Sequence, residues 1–168
     1  MHLETKQLII NAFSPTDKEV WRTIEANAEV RKYIGAQSLS PKAADAYVDQ
    51  NIESYRKNGF GRYAVRHKQS CLLIGMCGFR TESYGIDFGY RYAPDFWGHG
   101  YGFEAASAVL EYGLNTLKLD RIIALALKAN TASIRIIETL KFESLGTVEI
   151  WGETVEKYEM TQSIWQSS

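Results

Sequence analysis

The stretch Trp97-Gly98-His99-Gly100-Tyr101-Gly102 joins two segments of different periodicity. The segment before it, 85–92, is rich in residues that favour β-strands. The segment after it, 102–117, has apolar residues three or four positions apart, which is typical of an amphipathic helix. These residues are Phe103, Ala106, Leu110, Leu114 and Leu117. The pattern predicts a strand, a glycine-rich turn and a helix in direct succession.

Such a turn has the properties of an anion-binding site. The first amides of a helix have no partner inside it, and the helix dipole adds partial positive charge there. Glycine permits a sharp turn and lets a phosphate approach without meeting a Cβ atom. The backbone amides of residues 98–103 are therefore candidates for binding a pyrophosphate. The glycines alone are equally typical of a tight strand-to-helix connection.

Two nucleotide-binding motifs fit this turn poorly. A Walker A loop requires Gly-Lys-Ser/Thr at its end, whereas Phe103-Glu104 follows the last glycine here. The dinucleotide fingerprint requires a different glycine spacing and an early βαβ unit. In this chain, antiparallel strands come before the turn. A nucleotide-binding protein remains a third hypothesis, behind the two developed below.

The rest of the chain predicts an α/β fold, in which antiparallel strands precede a strand–helix–strand–helix–strand series. That order implies a mixed sheet with helices on both faces. We find no linker or repeat and predict a single domain, 1–168. A hairpin turn is expected at Tyr84-Gly85. Helices are expected at 19–26, 28–34, 40–58, 102–117 and 130–140, and strands at 6–13, 61–67, 71–80, 85–92, 121–127, 142–149 and 154–161.

Composition excludes several classes of function. Of the 168 residues, 45% are hydrophobic and 23% charged, as in ordinary globular proteins. No apolar run approaches the ~20 residues of a membrane span, and the first residues do not resemble a signal peptide. The net charge of −1 argues against nucleic-acid binding. We expect a cytoplasmic protein in which Cys71 and Cys77 are free thiols, buried as small hydrophobic residues.

Charge is uneven along the chain. Residues 1–84 carry 12 basic and 9 acidic side chains, whereas residues 85–168 carry 7 and 11. The proposed phosphate site lies in the acidic half. We therefore expect it to depend on backbone amides more than on lysine side chains.

Two motifs resemble the GNAT superfamily of N-acetyltransferases. The run from Gly89 to Ala105 is similar to the branch that contains the Rim-type ribosomal-protein acetyltransferases, in which Trp-Gly-x-Gly-Tyr is the usual form; Trp97 takes the position of the superfamily's Arg or Gln. The block 130–142 resembles the family's Asn-x-x-Ser/Ala … Leu-Gly-Phe element, with Lys141 in place of Gly. The opening 8–11 resembles the first strand of the family, with Asn11 where Arg is common.

The resemblance implies a GNAT-like acyl-CoA N-acyltransferase fold, with a mostly antiparallel sheet and a splayed central parallel pair flanked by helices. The splay would expose backbone groups around Tyr90 and Tyr92 to pantetheine and to the acetyl carbonyl. The amides of 98–103 would hold the pyrophosphate of acetyl-CoA, the cosubstrate, and Asn130 would bind pantetheine unless it only caps a helix. The expected coenzyme-binding residues are Tyr90, Arg91, Tyr92, Trp97, Gly98, His99, Gly100, Tyr101, Gly102, Phe103, Asn130, Ser133 and Arg135.

Catalysis requires a proton for the departing thiolate and stabilisation of the oxyanion. The position of the family's usual tyrosine, seven residues after Asn130, holds Ile137, which cannot donate a proton. Ser133 resembles the serine of some Rim-type enzymes and is a candidate acid, or else an ordinary residue of the first helical turn. A backbone amide near Tyr90 is the candidate oxyanion donor.

The general base is left open among carboxylates near the cleft. Glu82 and Asp87 are candidates, directly or through water, and solvated surface positions are the alternative for both. Glu104 is expected to have a structural role, because a carboxylate in the first turn of a helix is favoured by the dipole.

The remaining candidates have weaker support. His99 contacts phosphate or fills a variable position, and no metal site is expected. Arg135 and Lys141 are either 3′-phosphate contacts or solvated charges. Trp21 and Tyr33 are acceptor-site candidates in a region that shapes the acceptor pocket in this family.

We therefore predict an acetyl-CoA-dependent N-acetyltransferase that transfers acetyl directly to a primary amine, either a protein N-terminus or a small amine. The alternative is a non-catalytic acyl-CoA-binding or sensor module on the same fold. The expected partners are acetyl-CoA and the amine, with no nucleic acid and no membrane, in a monomer or homodimer.

Overall fold

The computed structural model describes residues 1–35 and 37–167, in which eight strands form one mixed sheet. The strands are β1 (His2–Glu4), β2 (Leu8–Asn11), β3 (Arg62–His67), β4 (Leu73–Glu82), β5 (Gly85–Tyr92), β6 (Arg121–Leu127), β7 (Glu143–Ile150) and β8 (Glu153–Thr161). The helices are α1 (Lys18–Ala26), α2 (Ala28–Arg31), α3 (Pro41–Asn58), α4 (Tyr101–Asn115), α5 (Thr131–Thr139) and α6 (Gln162–Ser167). Short 3₁₀ helices cover Pro15–Asp17 and Pro94–Phe96.

The strand order is β1-β2-β3-β4-β5-β6-β8-β7. Strands β5 and β6 are parallel, and every other strand pair among the described residues is antiparallel. The helix α4 makes the crossover that two neighbouring parallel strands require. This topology confirms the predicted α/β fold with one central parallel pair.

Buried side chains form two clusters, one on each face of the sheet. Neighbouring residues of β3 alternate between them, with Tyr63 in the first and Ala64 in the second. The first cluster includes Leu110 of α4, and the second includes Val48 of α3. Helices therefore cover both faces, as the order of elements predicted.

Local signals placed most helix ends correctly. Ser40 caps α3 by accepting from the amide of Ala43 at 3.2 Å, and Gly59 ends this helix with φ of +79°. The predicted helix 28–34 stops at Arg31. The strand β1 and the helix α6 were not predicted, because three and six residues are too few to establish a periodicity.

Two expectations between β3 and β5 are corrected. The hairpin loop is Ser83-Tyr84, since Glu82 pairs with Gly85, and Gly85 already belongs to β5. Cys77 is buried, and burial raises the pKa of its thiol to about 12. Cys71 is exposed, so its prediction as a buried residue is wrong. It lies in the turn before β4 with φ of +58°, outside the sheet that buries Cys77.

None of the helices in the described part of the chain has the length and hydrophobicity to cross a membrane. Within the same residues, no three His, Cys, Asp or Glu side chains are grouped so that they could hold a metal ion.

Candidate active site

The strands β5 and β6 separate soon after they begin. They are paired at Ile86–Ile122 and at Asp87–Ile123, and no later pair is formed along the described strands. The remainder of β5, from Phe88 to Tyr92, therefore has one free edge towards β6. The predicted splay of the central pair is confirmed.

Alternation along β5 determines which backbone groups face the splay. The amide of Ala93 donates to Ile74 of the neighbouring segment at 2.8 Å. Because peptide groups alternate along a strand, Arg91 also faces β4, whereas Tyr90 and Tyr92 face the open side. The carbonyl oxygen of Tyr92 accepts a hydrogen bond from the indole of Trp97 at 2.7 Å. The amides of Tyr90 and Tyr92 and the carbonyl of Tyr90 are thus directed into the splay.

The glycine turn leaves its amides free. Gly98 and Gly100 have φ of +78° and +81°, which glycine adopts without strain, and a Cβ atom at either would meet nothing within 4 Å. The first capping bond of α4 runs from the amide of Glu104 to the carbonyl of Gly100 at 3.0 Å. In the described structure, the amides of residues 98–103 make no backbone hydrogen bond. They lie at the N-terminus of a 15-residue helix, where an anion is stabilised.

Asn130, Ser133 and Tyr90 meet across the splay. Asn130 is the N-cap of α5, and its Oδ1 accepts from the amide of Ser133 at 3.2 Å. The Tyr90 hydroxyl donates to the Ser133 carbonyl at 3.0 Å and lies 3.1 Å from Ser133 Oγ. Burial raises the pKa of Tyr90, so this phenol stays protonated at neutral pH. The sequence indicated the backbone of Tyr90, and the hydroxyl contact is a finding of the structure.

Two cavities meet at this point. The smaller, of about 390 Å³, lies along the glycine turn, and the larger, of about 660 Å³, extends towards the β7–β8 hairpin. The junction residues, which border both cavities, are Lys32, Tyr33, Ile34, Tyr90, Arg91, Asn130 and Ser133. The cleft therefore has one arm along the glycine turn with free amides, a second arm towards the β7–β8 hairpin, and hydroxyl groups between them.

The two candidate bases have different surroundings. Asp87 is buried and both its oxygens are engaged, one by the guanidinium of Arg62 and the other by the Tyr84 hydroxyl at 3.0 Å. This ion pair lies where β5 and β6 separate, and Asp87 also borders the larger cavity. Glu82 borders the larger cavity, with its carboxylate 2.5 Å from Arg80 Nε. Each carboxylate is paired with an arginine, but the Glu82–Arg80 pair is partly exposed and the Arg62–Asp87 pair is buried, so Glu82 can change partners more readily as a base.

The Arg62–Asp87 pair also explains one glycine of β5. A Cβ atom at Gly89 would lie 2.9 Å from the Arg62 guanidinium. Glycine at this position therefore leaves room for the buried arginine beneath the strand. Removing one partner of such a buried pair typically costs about 3–5 kcal/mol.

Several predicted site residues face elsewhere. The guanidinium of Arg91 lies 4.7 Å from the Tyr47 ring centroid, on the α1–α3 face of the sheet, although the residue borders both cavities. Arg135 and Lys141 are exposed and border neither cavity, as is true of His99, whose ring stacks on Tyr101. These placements do not favour coenzyme contacts for the side chains of Arg135, Lys141 and His99.

Glu104 has the structural role that was expected. Its carboxylate accepts hydrogen bonds from the Thr5 hydroxyl and from the backbone and side-chain nitrogens of Gln7, the last two at 2.7 and 2.8 Å. Burial opposes its ionisation, but these hydrogen bonds outweigh burial and lower the pKa of Glu104. It therefore ties the N-terminal segment to α4.

The two residues predicted for the acceptor site lie in different surroundings. Tyr33 borders both cavities, whereas Trp21 is fully buried and borders neither. The sequence did not indicate Trp151 and Glu153, which border the larger cavity from the β7–β8 hairpin. Trp151 is 69% exposed. A tryptophan beside Gly152, between the two predicted strands 142–149 and 154–161, was the signal that could have suggested it.

The splayed pair and the open glycine turn are the arrangement expected of an acyl-CoA-dependent transferase, and comparisons with known proteins agree. The sequence profile of the acetyltransferase (GNAT) domain matches residues 7–143. The uncharacterized N-acetyltransferase YoaA of Bacillus subtilis (strain 168) is 28% identical over 150 residues, which are 87% of this chain and 85% of YoaA. The chain therefore belongs to the GNAT acetyltransferase family.

Solved structures show the same fold. A GNAT-family acetyltransferase from Bacillus anthracis superposes with a TM-score of 0.84 at 24% identity, covering 97% of this chain and 99% of that one. RimL, a ribosomal L7/L12 α-N-protein acetyltransferase solved with coenzyme A, has a TM-score of 0.82 at 14% identity, with 96% and 98% covered. The fold, the acetyl-CoA-dependent enzyme class and the cosubstrate are thus as predicted.

Proposed function

We propose that this acetyltransferase moves the acetyl group of acetyl-CoA directly onto a primary amine, either the α-amine of a protein N-terminus or a small amine. The observation that carries the proposal is the meeting of two cavities at Tyr90 and Ser133, one of them lined by the free amides of the glycine turn. Acetyl-CoA fits the arm with the free amides, and the amine fits the other.

The coenzyme would be held mainly by backbone. The amides of 98–103 would bind the pyrophosphate, in keeping with the acidic balance of this half of the chain. Pantetheine would lie along the open edge of β5, hydrogen-bonded to Tyr90 and Tyr92. The Oδ1 of Asn130 is used for capping, so its side-chain NH₂ is the group left for pantetheine.

The reaction places its proton transfers at the junction. The amine nitrogen attacks the acetyl carbonyl, the carbon–sulfur bond breaks, and the thiolate takes a proton. Ser133 is the proposed donor, and the Tyr90 hydroxyl, which donates to the Ser133 carbonyl and lies 3.1 Å from Ser133 Oγ, helps to position it. The amine nitrogen loses its proton to Glu82, directly or through water, and water returns a proton from Glu82 to the Ser133 oxygen, so that the net change is one proton moved from the amine to the thiol. An amide of β5 near Tyr90 would stabilise the oxyanion.

An α-amine of a protein is the acceptor that the likeness to RimL suggests, because RimL is described as an α-N-protein acetyltransferase. A non-catalytic acyl-CoA sensor is the second candidate. It is favoured by Ile137 in the position of the usual tyrosine and by the engaged carboxylate of Asp87.

Release of coenzyme A thiol from acetyl-CoA, measured with a panel of amines and N-terminal peptides, tests the activity. We expect release with at least one class of amine. Tight binding of acetyl-CoA without release for any amine would support the sensor instead.

The coenzyme site is tested by Gly100→Val, with Gly146→Val as the matched control. Both glycines have φ of +81° and open space where a Cβ atom would lie, but Gly146 borders neither cavity. The two variants should therefore lose similar folding stability, whereas Gly100→Val alone should weaken acetyl-CoA binding in calorimetry, by about tenfold or more. Equal acetyl-CoA affinity of the two variants would contradict the phosphate placement.

A further inference from the structure

A buried carboxylate lies behind the junction of the two cavities. Glu25 of α1 is fully buried, with Oε2 2.7 Å from Arg31 Nη1 and Oε1 2.7 Å from Arg91 Nε. The first contact is a hydrogen bond, and the second lacks hydrogen-bond alignment. One carboxylate thus links the end of α2 to β5, the strand that borders the splay. None of the steps proposed above uses it.

Arg31 connects Glu25 to the residues of the junction. Its Nη2 donates to the carbonyl of Ile34 at 2.8 Å, and its Nε donates to the carbonyl of Gln37 at 2.6 Å. These bonds fold the chain after α2 around the guanidinium. The residues so held are the wall segment, 32–35, of which Lys32, Tyr33 and Ile34 border both cavities.

The far side of this segment is attached to the same helix. The amide of Leu39 donates to the backbone carbonyl of Glu25 at 3.0 Å, and the Ser38 hydroxyl donates to the carbonyl of Ala26 at 2.7 Å. On the other side, the Arg91 guanidinium lies over the rings of Tyr47 and Trp21. Glu25 is therefore held by well-packed elements, and its bond to Arg31 transmits that position to the wall segment.

We propose that Glu25 and Arg31 are positioning residues that hold the segment 32–35 as the common wall of the coenzyme and acceptor arms, an inference that rests on the proposed function of those arms. Neither residue acts on the reacting atoms. Their effect is to keep the cleft in the form that binds both substrates. A ligand's apparent dissociation constant rises by the reciprocal of the fraction of protein in its binding form. Loss of the wall should therefore weaken both substrates by one common factor.

Arg31→Lys tests this, and Arg22→Lys is its control. Lysine keeps the charge next to Glu25 but cannot reproduce the three-way contacts of the guanidinium. Arg22 lies on α1 and also binds a carboxylate, through two nitrogens at 2.6 Å each to Asp45, but it borders neither cavity. In Arg31→Lys we expect the acetyl-CoA Kd and the acceptor KM to rise together, roughly threefold or more, with kcat nearly unchanged. Arg22→Lys should leave all three constants at wild-type values.

Hydrogen exchange of the amides in 32–35 gives a readout that requires no activity. Exchange should be faster in Arg31→Lys than in Arg22→Lys or wild type. Unchanged exchange, or a change in only one of the two substrate constants, would overturn the proposal. If wild type does not bind acetyl-CoA, the proposed function fails, and the exchange result still decides whether Arg31 holds the wall.

Glu25→Gln provides a second variant. It keeps the size of the side chain and removes the charge shared by Arg31 and Arg91, so both substrate constants should again rise by a common factor. A loss of folding stability with unchanged substrate constants in the folded fraction would show a purely structural role and would overturn the inference.

Discussion

The side chain of Tyr90 extends from β5 to α5 and ends beside Ser133, so that two hydroxyl groups lie 3.1 Å apart at the meeting point of the cavities. Trp97, in the glycine-rich turn after β5, departs from the superfamily pattern but still contributes to the shape of the cleft. Trp97 replaces the superfamily's Arg or Gln, and its indole fixes the end of β5 through Tyr92. The Trp97 side chain thus fixes the C-terminal end of β5.

At this scale we predict that Ser133→Ala lowers kcat by roughly tenfold to a hundredfold. A general acid typically contributes about 10²-fold or more, but a thiolate is a good leaving group and needs less assistance from an acid. Tyr90→Phe should lower kcat less, since it removes only the supporting hydroxyl. Single-turnover thiol release measures both. Thr131→Ala, exposed in the same helical turn, is the control. Full turnover of Ser133→Ala would exclude Ser133 as the acid.

Among the elements, α4 meets two requirements at its N-terminus. Its first amides are free to bind an anion, and its first turn is anchored to another segment of the chain. Glu104 provides the anchor on the side away from the cavities by binding Thr5 and Gln7.

The C-terminal end of α5 is followed by a residue with strained backbone. Lys141 has φ of +66°, which glycine adopts more readily, and this costs about 1 kcal/mol. Lys141, which stands in place of the glycine of the family's motif, is thus tolerated with strain.

For α4 we predict that Glu104→Gln lowers stability at pH 7 by roughly 1 kcal/mol, a modest value because the site is partly solvated. The folded-state pKa of Glu104 is lowered, so its contribution is complete above the unfolded pKa and is lost as pH falls through the folded value. Thermal unfolding of both proteins between pH 7 and pH 3 measures this. The difference in Tm should shrink at acid pH, and a constant difference would contradict the ionic contribution.

For the molecule as a whole, the cleft results from one parallel junction within an otherwise antiparallel sheet. Two residue pairs join β5 to β6, and the buried Arg62–Asp87 pair lies beside them. Helices on both faces bury the sheet around this opening, so the opening persists without a strand to fill it. A ligand that occupies it gains contacts with β5, α4 and α5 at once.

At this scale, acetyl-CoA should stabilise the folded protein by mass action. At a hundred times its Kd, a ligand of the native state adds about 2.7 kcal/mol, which for a chain of this length raises Tm by roughly 5–10 °C. Thermal unfolding with acetyl-CoA, ATP or NAD at equal concentration separates the hypotheses. We expect a shift with acetyl-CoA well above those with ATP and NAD. A larger shift with either nucleotide would favour the nucleotide-binding alternative.

Local physics explains why so much of the fold was predictable. The 3.6-residue period of α4, the Ser40 and Gly59 ends of α3 and the apolar run of β6 depend on neighbours in sequence. The splay and the open turn were expected from the resemblance of two motifs. The ends of β2 were missed because pairing with β3, which is distant in sequence, decides them. The strand β1 was missed because three residues are too few to establish a periodicity.

By itself, then, the sequence determined the α/β class, the glycine turn between a strand and a helix, and the resemblance to the acetyltransferase family. The tertiary structure alone decided which charges are available: Asp87 is engaged by Arg62, Arg91 lies over Tyr47, and Glu25 is buried behind the wall segment. The physical reason is that capping and periodicity act over a few residues, whereas ion pairs and cavity walls join side chains that are far apart in the chain. Their partners are known only once the sheet is assembled.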